Sequence, residues 1–182
     1  MTLNIYEISH PIVKVITSKM NENHIEYNYK YIGLLLFYEI FRKNIETNKI
    51  YIKYIKRIKN FNVIKKNNQY IMLTNMSYTF DMISEIKIIL PDIKIIHTDY
   101  KNKNNINESL RNIKIDLKNS KIFIIEKITD NDQILELIHY LNKEKKIENK
   151  NIKIGCIISK KNVLKKIGNE YSELQLYTTK II

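Results

Sequence analysis

Residues 121–141, KIFIIEKITDNDQILELIHYL, decide the fold class. Residues 121–125 form an almost purely apolar run, which is typical of a strand buried on both faces of a sheet. Residues 129–132 form a polar turn whose side chains favour the start of a helix, and residues 133–141 have helical spacing. A buried strand, a short turn and a helix in this order predict an α/β unit built on a parallel sheet.

The same alternation continues on both sides of this unit. Short apolar runs predict strands at residues 70–73, 93–97, 152–158 and 174–178, and an alternating segment lies at 113–117. Helices are predicted at residues 79–90 and 161–167, a mobile polar loop at 101–107, and a charged loop at 143–151. The sequence therefore predicts an α/β core at residues 69–182, with a parallel sheet flanked by helices.

An N-terminal part, residues 1–68, precedes this core in what we predict to be a single domain. A helix is predicted at 12–20, and the clearest helix at 27–43, where apolar residues recur at spacings of three and four: Tyr31, Leu34, Leu35, Tyr38 and Phe41. On that helix Glu39 and Arg42 are placed to pair. We interpret Tyr27, Tyr31 and Tyr38 as core or dimer-contact residues. Residues 45–57 alternate Ile or Tyr with Lys, which predicts strands or a hairpin lying over the body.

The composition indicates a folded and strongly basic chain. Its 182 residues are 44% hydrophobic, which argues against a disordered segment, and its formal net charge is +12. A positive field favours nucleic acid, an anionic membrane surface or an acidic protein as partner. The other reading is that AT-rich coding DNA enriches Lys and Asn. Beside Tyr51 and Tyr54, a basic group predicts a nucleic-acid contact, with a solvated face as the alternative: Lys53, Lys56, Arg57 and Lys59.

Other reactive side chains indicate no catalytic or metal centre. Cys156, the only cysteine, lies in an apolar run and is predicted to be a small buried residue in a reducing compartment. The four histidines have no ligand spacing, so we expect neither a metal site nor a resident cofactor: His10, His24, His97 and His139. Neither a signal peptide nor an apolar run long enough to span a membrane is recognised, and no membrane span is expected.

Five segments, in order along the chain, resemble the uracil phosphoribosyltransferase family. The first two are the most specific: His10-Pro11-Ile12-Val13 is similar to the family's His-Pro-Leu-Val, and Leu34 to Arg42 is similar to its Leu-Leu-x-Tyr-Glu-Ala-Thr-Arg helix. The others are Leu90 to Ile95, Lys121 to Glu126 and Leu174 to Thr179. The resemblance implies a type I phosphoribosyltransferase fold with a small hood, which usually forms dimers.

The segments that would hold the substrates depart from the family pattern. The family cradles the 5-phosphate of phosphoribosyl pyrophosphate in an Asp-x-x-x-Ala-Thr-Gly-Gly-Ser loop, whose glycines let backbone N–H groups approach the phosphate. Here the remnant loop has no glycine and contains two aspartates: Glu126, Thr129, Asp130, Asn131 and Asp132. The family's Leu-Arg-Ala-Gly-Leu pyrophosphate segment becomes Leu73 to Ser77, without Gly or Arg. The sequence given ends at Ile182, before the family's uracil-binding segment, so we expect no base site.

The resemblance and these departures together predict a pseudoenzyme with no catalytic residues. We expect a structural or interaction subunit, as a homodimer or within a larger complex, with RNA such as that of a ribosome as a candidate partner. The alternative is an active enzyme of pyrimidine salvage, making uridine monophosphate from uracil and Mg²⁺-bound phosphoribosyl pyrophosphate, with a partner chain completing the base pocket. The composition suggests a plastid-encoded protein of the stroma, or alternatively a cytoplasmic one.

Overall fold

The computed structural model describes residues 3–18, 25–130 and 132–182. The chain forms a six-stranded sheet and a separate two-stranded hairpin. The strands are β1 (Asn4–Glu7), β2 (Thr47–Lys53), β3 (Ile58–Ile64), β4 (Gln69–Thr74), β5 (Lys94–His97), β6 (Ser120–Thr129), β7 (Ile152–Ser159) and β8 (Gln175–Ile181). The α-helices are α1 (Pro11–Ser18), α2 (Ile25–Asn44), α3 (Met76–Ile83), α4 (Ile86–Ile89), α5 (Lys103–Leu110), α6 (Gln133–Lys143) and α7 (Lys161–Glu170).

All neighbouring strands of the six-stranded sheet are parallel, in the order β1-β8-β7-β6-β4-β5. From β4 the chain first adds β5 on one side and then returns to place β6 on the other side. The strand order therefore reverses between β4 and β6. In open α/β sheets, ligands bind in the crevice outside the carboxyl ends of the strands at such a reversal.

Helices cover both faces of the sheet, each over its own apolar core. Helices α1 to α4 pack on one face, where Leu36, Met72 and Phe123 are fully buried. Helices α5 to α7 pack on the other, where Ile124, Leu137 and Ile154 are fully buried. Successive strand residues alternate between these cores, which is why β4, β6 and β7 are apolar nearly throughout. The predicted fold class, a parallel α/β sheet flanked by helices with a helical N-terminal part, is confirmed.

The segment 45–57, predicted to form strands or a hairpin, contains only the first strand and the turn of a longer hairpin, because the second strand, β3, begins at Ile58. We call this hairpin the arm (residues 47–64). Its strands pair antiparallel from Thr47↔Ile64 to Lys53↔Ile58, and Tyr54 N–H donates to the Arg57 carbonyl at the tip, 2.8 Å. At its base the Glu46 carboxylate meets Lys65 at 3.0 Å and Lys121 at 2.9 Å. These two ammonium groups, with Lys121 contributing most, lower the pKa of Glu46 to about 2. The charged base joins the arm to the start of β6.

Helix α2 has the predicted period but buries a different face. Ile32, Leu36 and Ile40 point into the core, whereas Tyr31 and Tyr38 are 53% and 62% exposed. The middle of this helix, residues 31–38, is apolar on all sides and gives little contrast from which its buried face can be read. Tyr31 and Tyr38 are therefore not core residues, and their role as dimer contacts stays a prediction. The Tyr27 side chain lies outside the described part. The expected Arg42–Glu39 ion pair is present at 2.6 Å.

Three further predictions are corrected. The polar segment 101–107, predicted to be a mobile loop, begins helix α5, whose N-terminus is capped by Asn102 accepting from Asn105 N–H at 2.9 Å. The alternating residues 113–117 contain no strand. The predicted helix at 79–90 starts earlier and breaks into α3 and α4 around Ser84.

Candidate functional site

A cleft of about 450 Å³ opens at the carboxyl ends of β4, β5 and β6, where the strand order reverses. Three stretches of chain line it. They are Asn75, Tyr78 and Thr79 at the start of α3; Asp99, Tyr100 and Lys101 after β5; and Glu126, Lys127, Ile128, Asp130 and Gln133 from the end of β6 to α6. The cleft occupies the place where this class of sheet binds ligands, which makes it the candidate site.

A hydrogen bond between Tyr100 and Glu126 forms the floor of the cleft. The Tyr100 hydroxyl donates to Glu126 Oε1 at 2.5 Å, and Tyr100 is only 6% exposed. Glu126 Oε2 is buried without a hydrogen-bond partner. Burial raises the pKa of Glu126 to about 6, against the opposing effect of the Tyr100 hydrogen bond. Burial, followed by the charge of Glu126, also raises the pKa of Tyr100, which therefore acts as a neutral donor.

The N-terminus of α3 faces the cleft, but its backbone donors are occupied within the chain. Met76 N–H donates to His97 Nδ1 at 3.1 Å, and Ser77 N–H donates to the Asn75 side chain at 3.2 Å. The N–H groups of Tyr78 and Thr79 both donate to the Asn75 carbonyl, at 3.0 and 3.1 Å. A helix N-terminus binds an anion through free N–H groups. None of the first four of α3 is free to do so.

The end of β6 likewise offers no phosphate-binding loop. Strand β6 continues past residue 125, where the sequence predicted its end, and pairs with β7 through Ile128↔Ile158 and Thr129↔Ser159. Helix α6 begins at Gln133, so only three residues connect the two elements. A loop that wraps a phosphate requires several unpaired backbone N–H groups in succession. Up to Thr129 the backbone is instead paired with β7.

The residues predicted as a remnant phosphate loop are separated in the structure. Glu126 and Asp130 line the cleft. Thr129 is 1% exposed inside the strand, and Asp132 forms an ion pair with Lys166 of α7. Asn131 lies outside the described residues. From residues 126–130 the cleft therefore receives two carboxylates, of which that of Asp130 also lies 3.9 Å from Lys160, and the basic residue Lys127.

The lysines lining the cleft face carboxylates. Lys101 lies 3.7 Å from Asp99, and Lys127 lies 3.5 Å from Asp81 and 4.2 Å above the Tyr29 ring. Their positive charge is therefore shared with acidic neighbours. A polyanionic ligand would have to displace these contacts, at a cost in binding free energy.

The predicted nucleic-acid residues Lys53, Lys56, Arg57 and Lys59 all lie on the arm and none lines the cleft. Cys156 is fully buried as predicted, with Sγ 2.9 Å from Ser159 Oγ, and burial raises the pKa of its thiol. His10, His97 and His139 lie on separate elements, and His24 falls outside the described part. Among residues 3–18, 25–130 and 132–182 there is no cluster of three His, Cys, Asp or Glu able to hold a metal ion.

Sequence reasoning missed Tyr100 and the pair Asp99 and Lys101, which form one wall of the cleft. The available signal was their place directly after a predicted strand, because the carboxyl ends of parallel strands meet at one edge of the sheet.

In the part of the chain that the structure describes, no helix combines the length and apolar character needed to cross a bilayer.

Comparison with known proteins shows the fold. No family model and no curated protein matches the sequence. The structure of the AQ2163 protein from Aquifex aeolicus is similar, with a TM-score of 0.75, 18% identity, and coverage of 97% of this chain and 86% of that one.

Two phosphoribosyltransferases are also among the similar structures. A hypoxanthine phosphoribosyltransferase from Staphylococcus aureus has a TM-score of 0.48 and 17% identity over 86% of this chain and 74% of that one. A purine phosphoribosyltransferase from Pyrococcus horikoshii has a TM-score of 0.40 and 17% identity over 85% and 87%. These two TM-scores are too low to support an argument, so the fold assignment rests on the similarity to the Aquifex aeolicus protein.

Proposed function

We propose that this chain is a uracil phosphoribosyltransferase homologue that has lost phosphoribosyl transfer and serves as a structural or interaction subunit. The observation that carries the proposal is the state of the backbone around the cleft. The first four N–H groups of α3 all donate within the chain, and β6 pairs with β7 as far as Thr129. A phosphate at the N-terminus of α3 would therefore have to displace internal hydrogen bonds.

Charge adds a second reason. Glu126 and Asp130 line the cleft where the family resemblance places the phosphate, and their negative charge disfavours a phosphate there, although Asp130 also lies 3.9 Å from Lys160. None of the three glycines, Gly33, Gly155 and Gly168, lies in the cleft lining. The features that let a backbone approach a phosphate are therefore replaced by features that repel it.

Product formation separates this proposal from the active-enzyme alternative. Radiolabelled uracil is incubated with phosphoribosyl pyrophosphate, Mg²⁺ and the purified chain, and uridine monophosphate is separated and counted. The proposal predicts no product above the rate without protein. Product that is abolished by Asp130→Ala together with Glu126→Ala would establish catalysis in the cleft and reject the proposal.

The distribution of exposed apolar side chains supports an interaction role. Large exposed hydrophobic residues lie on all four helices of one face, α1 to α4, and none is found on the described helices α5, α6 and α7 of the other face. Those on the first face are Ile12, Val15, Tyr31, Leu34, Tyr38, Tyr78, Phe80, Ile88 and Ile89. A concentration of exposed apolar side chains on one face is typical of protein contact surfaces. This face fits a second copy of the chain or another subunit.

Sedimentation of the native protein from lysate tests the assembly. A free dimer supports the second-copy arrangement, and a heavy particle released by ribonuclease supports an RNA-containing assembly in a plastid or in the cytoplasm. A monomer under both conditions would reject the interaction role.

A further inference from the structure

The register of the arm separates its side chains into two chemically different faces. Cross-strand partners in an antiparallel pair lie on the same face of a sheet. The pairs Asn48↔Val63, Ile50↔Phe61 and Ile52↔Lys59 therefore lie on one face, which is mainly apolar. Lys49↔Asn62, Tyr51↔Asn60 and Lys53↔Ile58 lie on the other. Sequence reasoning had grouped Lys53 with the tip residues. The register instead places it beside Lys49 and Tyr51.

This second face, which we call the basic face (Lys49, Tyr51, Lys53, Asn60 and Asn62), is the more open one. Tyr51 is 66% exposed, compared with 41% for Ile50 and 40% for Phe61 on the apolar face. The Tyr51 side chain, between two lysines, is therefore largely accessible to a ligand.

The charge of the arm has one sign. Residues 47–64 contain five basic residues and no acidic one. Lys49 and Lys53 lie four residues apart on one strand, about 13 Å, with Tyr51 midway between them. The nearest acidic group on the adjoining chain, Glu46, already faces Lys65 and Lys121 at the base of the arm. The basic face therefore has no internal counter-charge along its strands.

From this arrangement we infer that the basic face of the arm binds single-stranded nucleic acid. Two lysines attract backbone phosphates on either side of Tyr51, and the Tyr51 ring stacks on a base between them. The Asn60 and Asn62 amides lie opposite Tyr51 and Lys49 and can bond to base edges. A-form duplex RNA does not fit, because its major groove is too narrow for side chains and its bases are already stacked. The inference rests on the interaction role proposed above and names a partner class for it.

Fluorescence anisotropy of the full chain with a fluorescein-labelled ten-nucleotide oligouridylate, between 50 and 200 mM NaCl, tests this inference. Tyr51→Ala leaves the charge unchanged and should weaken binding by about 5- to 150-fold, the range for losing one stacked base. Replacing Lys49 and Lys53 by Gln should also weaken binding. It should reduce the slope of log affinity against log salt by about 1.4, since each phosphate contact contributes about 0.7.

A matched control separates a site from general charge. Lys161→Gln with Lys165→Gln on α7 removes the same net charge from two exposed positions outside the arm. This control should keep both the affinity and the salt slope of the unmodified chain. Equal losses in the two double variants, unchanged binding by Tyr51→Ala, tighter binding of a ten-base-pair duplex, or no binding at all would each overturn the inference.

Failure here and failure of the proposed function are distinguishable. Uridine monophosphate formation would reject the loss of catalysis and leave the arm site standing. If the basic face binds no nucleic acid, the proposal that the cleft is inactive is unaffected, because no residue of the basic face lines the cleft.

Discussion

Replacing Glu126 by Gln should stabilise the chain at neutral pH and leave its stability at acidic pH unchanged. Burial raises the pKa of Glu126 in the folded chain to about 6, from an ordinary value of 4.5. Between pH 4.5 and pH 6, Glu126 keeps its proton in the folded state and has lost it in the unfolded state. The carboxyl group therefore reduces the free energy of unfolding as pH rises from 4.5 to 6.

The magnitude follows from the size of the shift. A pKa difference of about 1.5 corresponds to about 2 kcal/mol. Below pH 4.5 the carboxyl is neutral in both states and costs nothing; above pH 6 it is charged in both and the full cost applies. Gln keeps an oxygen that can accept from Tyr100 and has no charge. The variant should thus gain about 2 kcal/mol over the unmodified chain between pH 4.5 and pH 7.5.

Urea denaturation followed by circular dichroism at those two pH values measures the effect. The quantity to compare is the difference in the free energy of unfolding between variant and unmodified chain, in which other titrating groups cancel. Glu108→Gln, at an exposed position on α5, is the matched control for removing one negative charge from a basic chain. A difference for Glu126→Gln that is flat with pH, or falls as pH rises, would refute the reasoning.

Two further substitutions test the packing around the cleft and the helical layer. Tyr100→Phe removes the hydrogen bond of 2.5 Å that Glu126 Oε1 accepts from Tyr100, and should cost about 1–3 kcal/mol of stability by urea denaturation at pH 7.5; an unchanged midpoint would show that the bond is not formed. Gly33→Ala would place a Cβ 2.3 Å from the Met82 carbonyl oxygen, so the melting temperature should fall by an amount equivalent to about 1–3 kcal/mol. In the control Gly168→Ala, the new Cβ would meet Leu3 Cβ at 3.3 Å, and the melting temperature should change little. Equal effects of the two substitutions would argue against the close α2–α3 contact.

The sheet could be predicted because its strands are buried on both faces. β4, β6 and β7 contain few polar residues, so each appears as an apolar run wherever its boundaries lie. The end of β6 was missed because Lys127 and Thr129 look like a turn, although Ile128 between them continues the strand. Hydrogen bonding to β7, which a local pattern does not contain, extends the strand to Thr129.

Helices whose residues are nearly all of one kind were harder to predict. Helix α5 is so rich in Asn and other polar residues that only Ile106 and Leu110, four residues apart and fully buried, mark its inner side. Helix α2 has the opposite difficulty, since apolar residues surround its middle. There the close approach of Gly33 to Met82 orients the helix, and that contact depends on α3.

Only part of the cleft could be predicted from the sequence. The resemblance placed Glu126 and Asp130 in the substrate region, and both line the cleft. It did not reveal Tyr100, because the hydrogen bond that joins Tyr100 to Glu126 spans two strands separated in the sheet by β4. Nor could it show that His97 and Asn75 occupy the N–H groups of α3.

The central claim is that the cleft no longer binds phosphoribosyl pyrophosphate, and isothermal titration calorimetry with the Mg²⁺ complex of that compound tests it most directly. The occupied backbone donors and the two carboxylates predict no saturable heat up to millimolar ligand. A micromolar dissociation constant, lost in Glu126→Ala, would contradict the account and restore a substrate-binding role to the cleft.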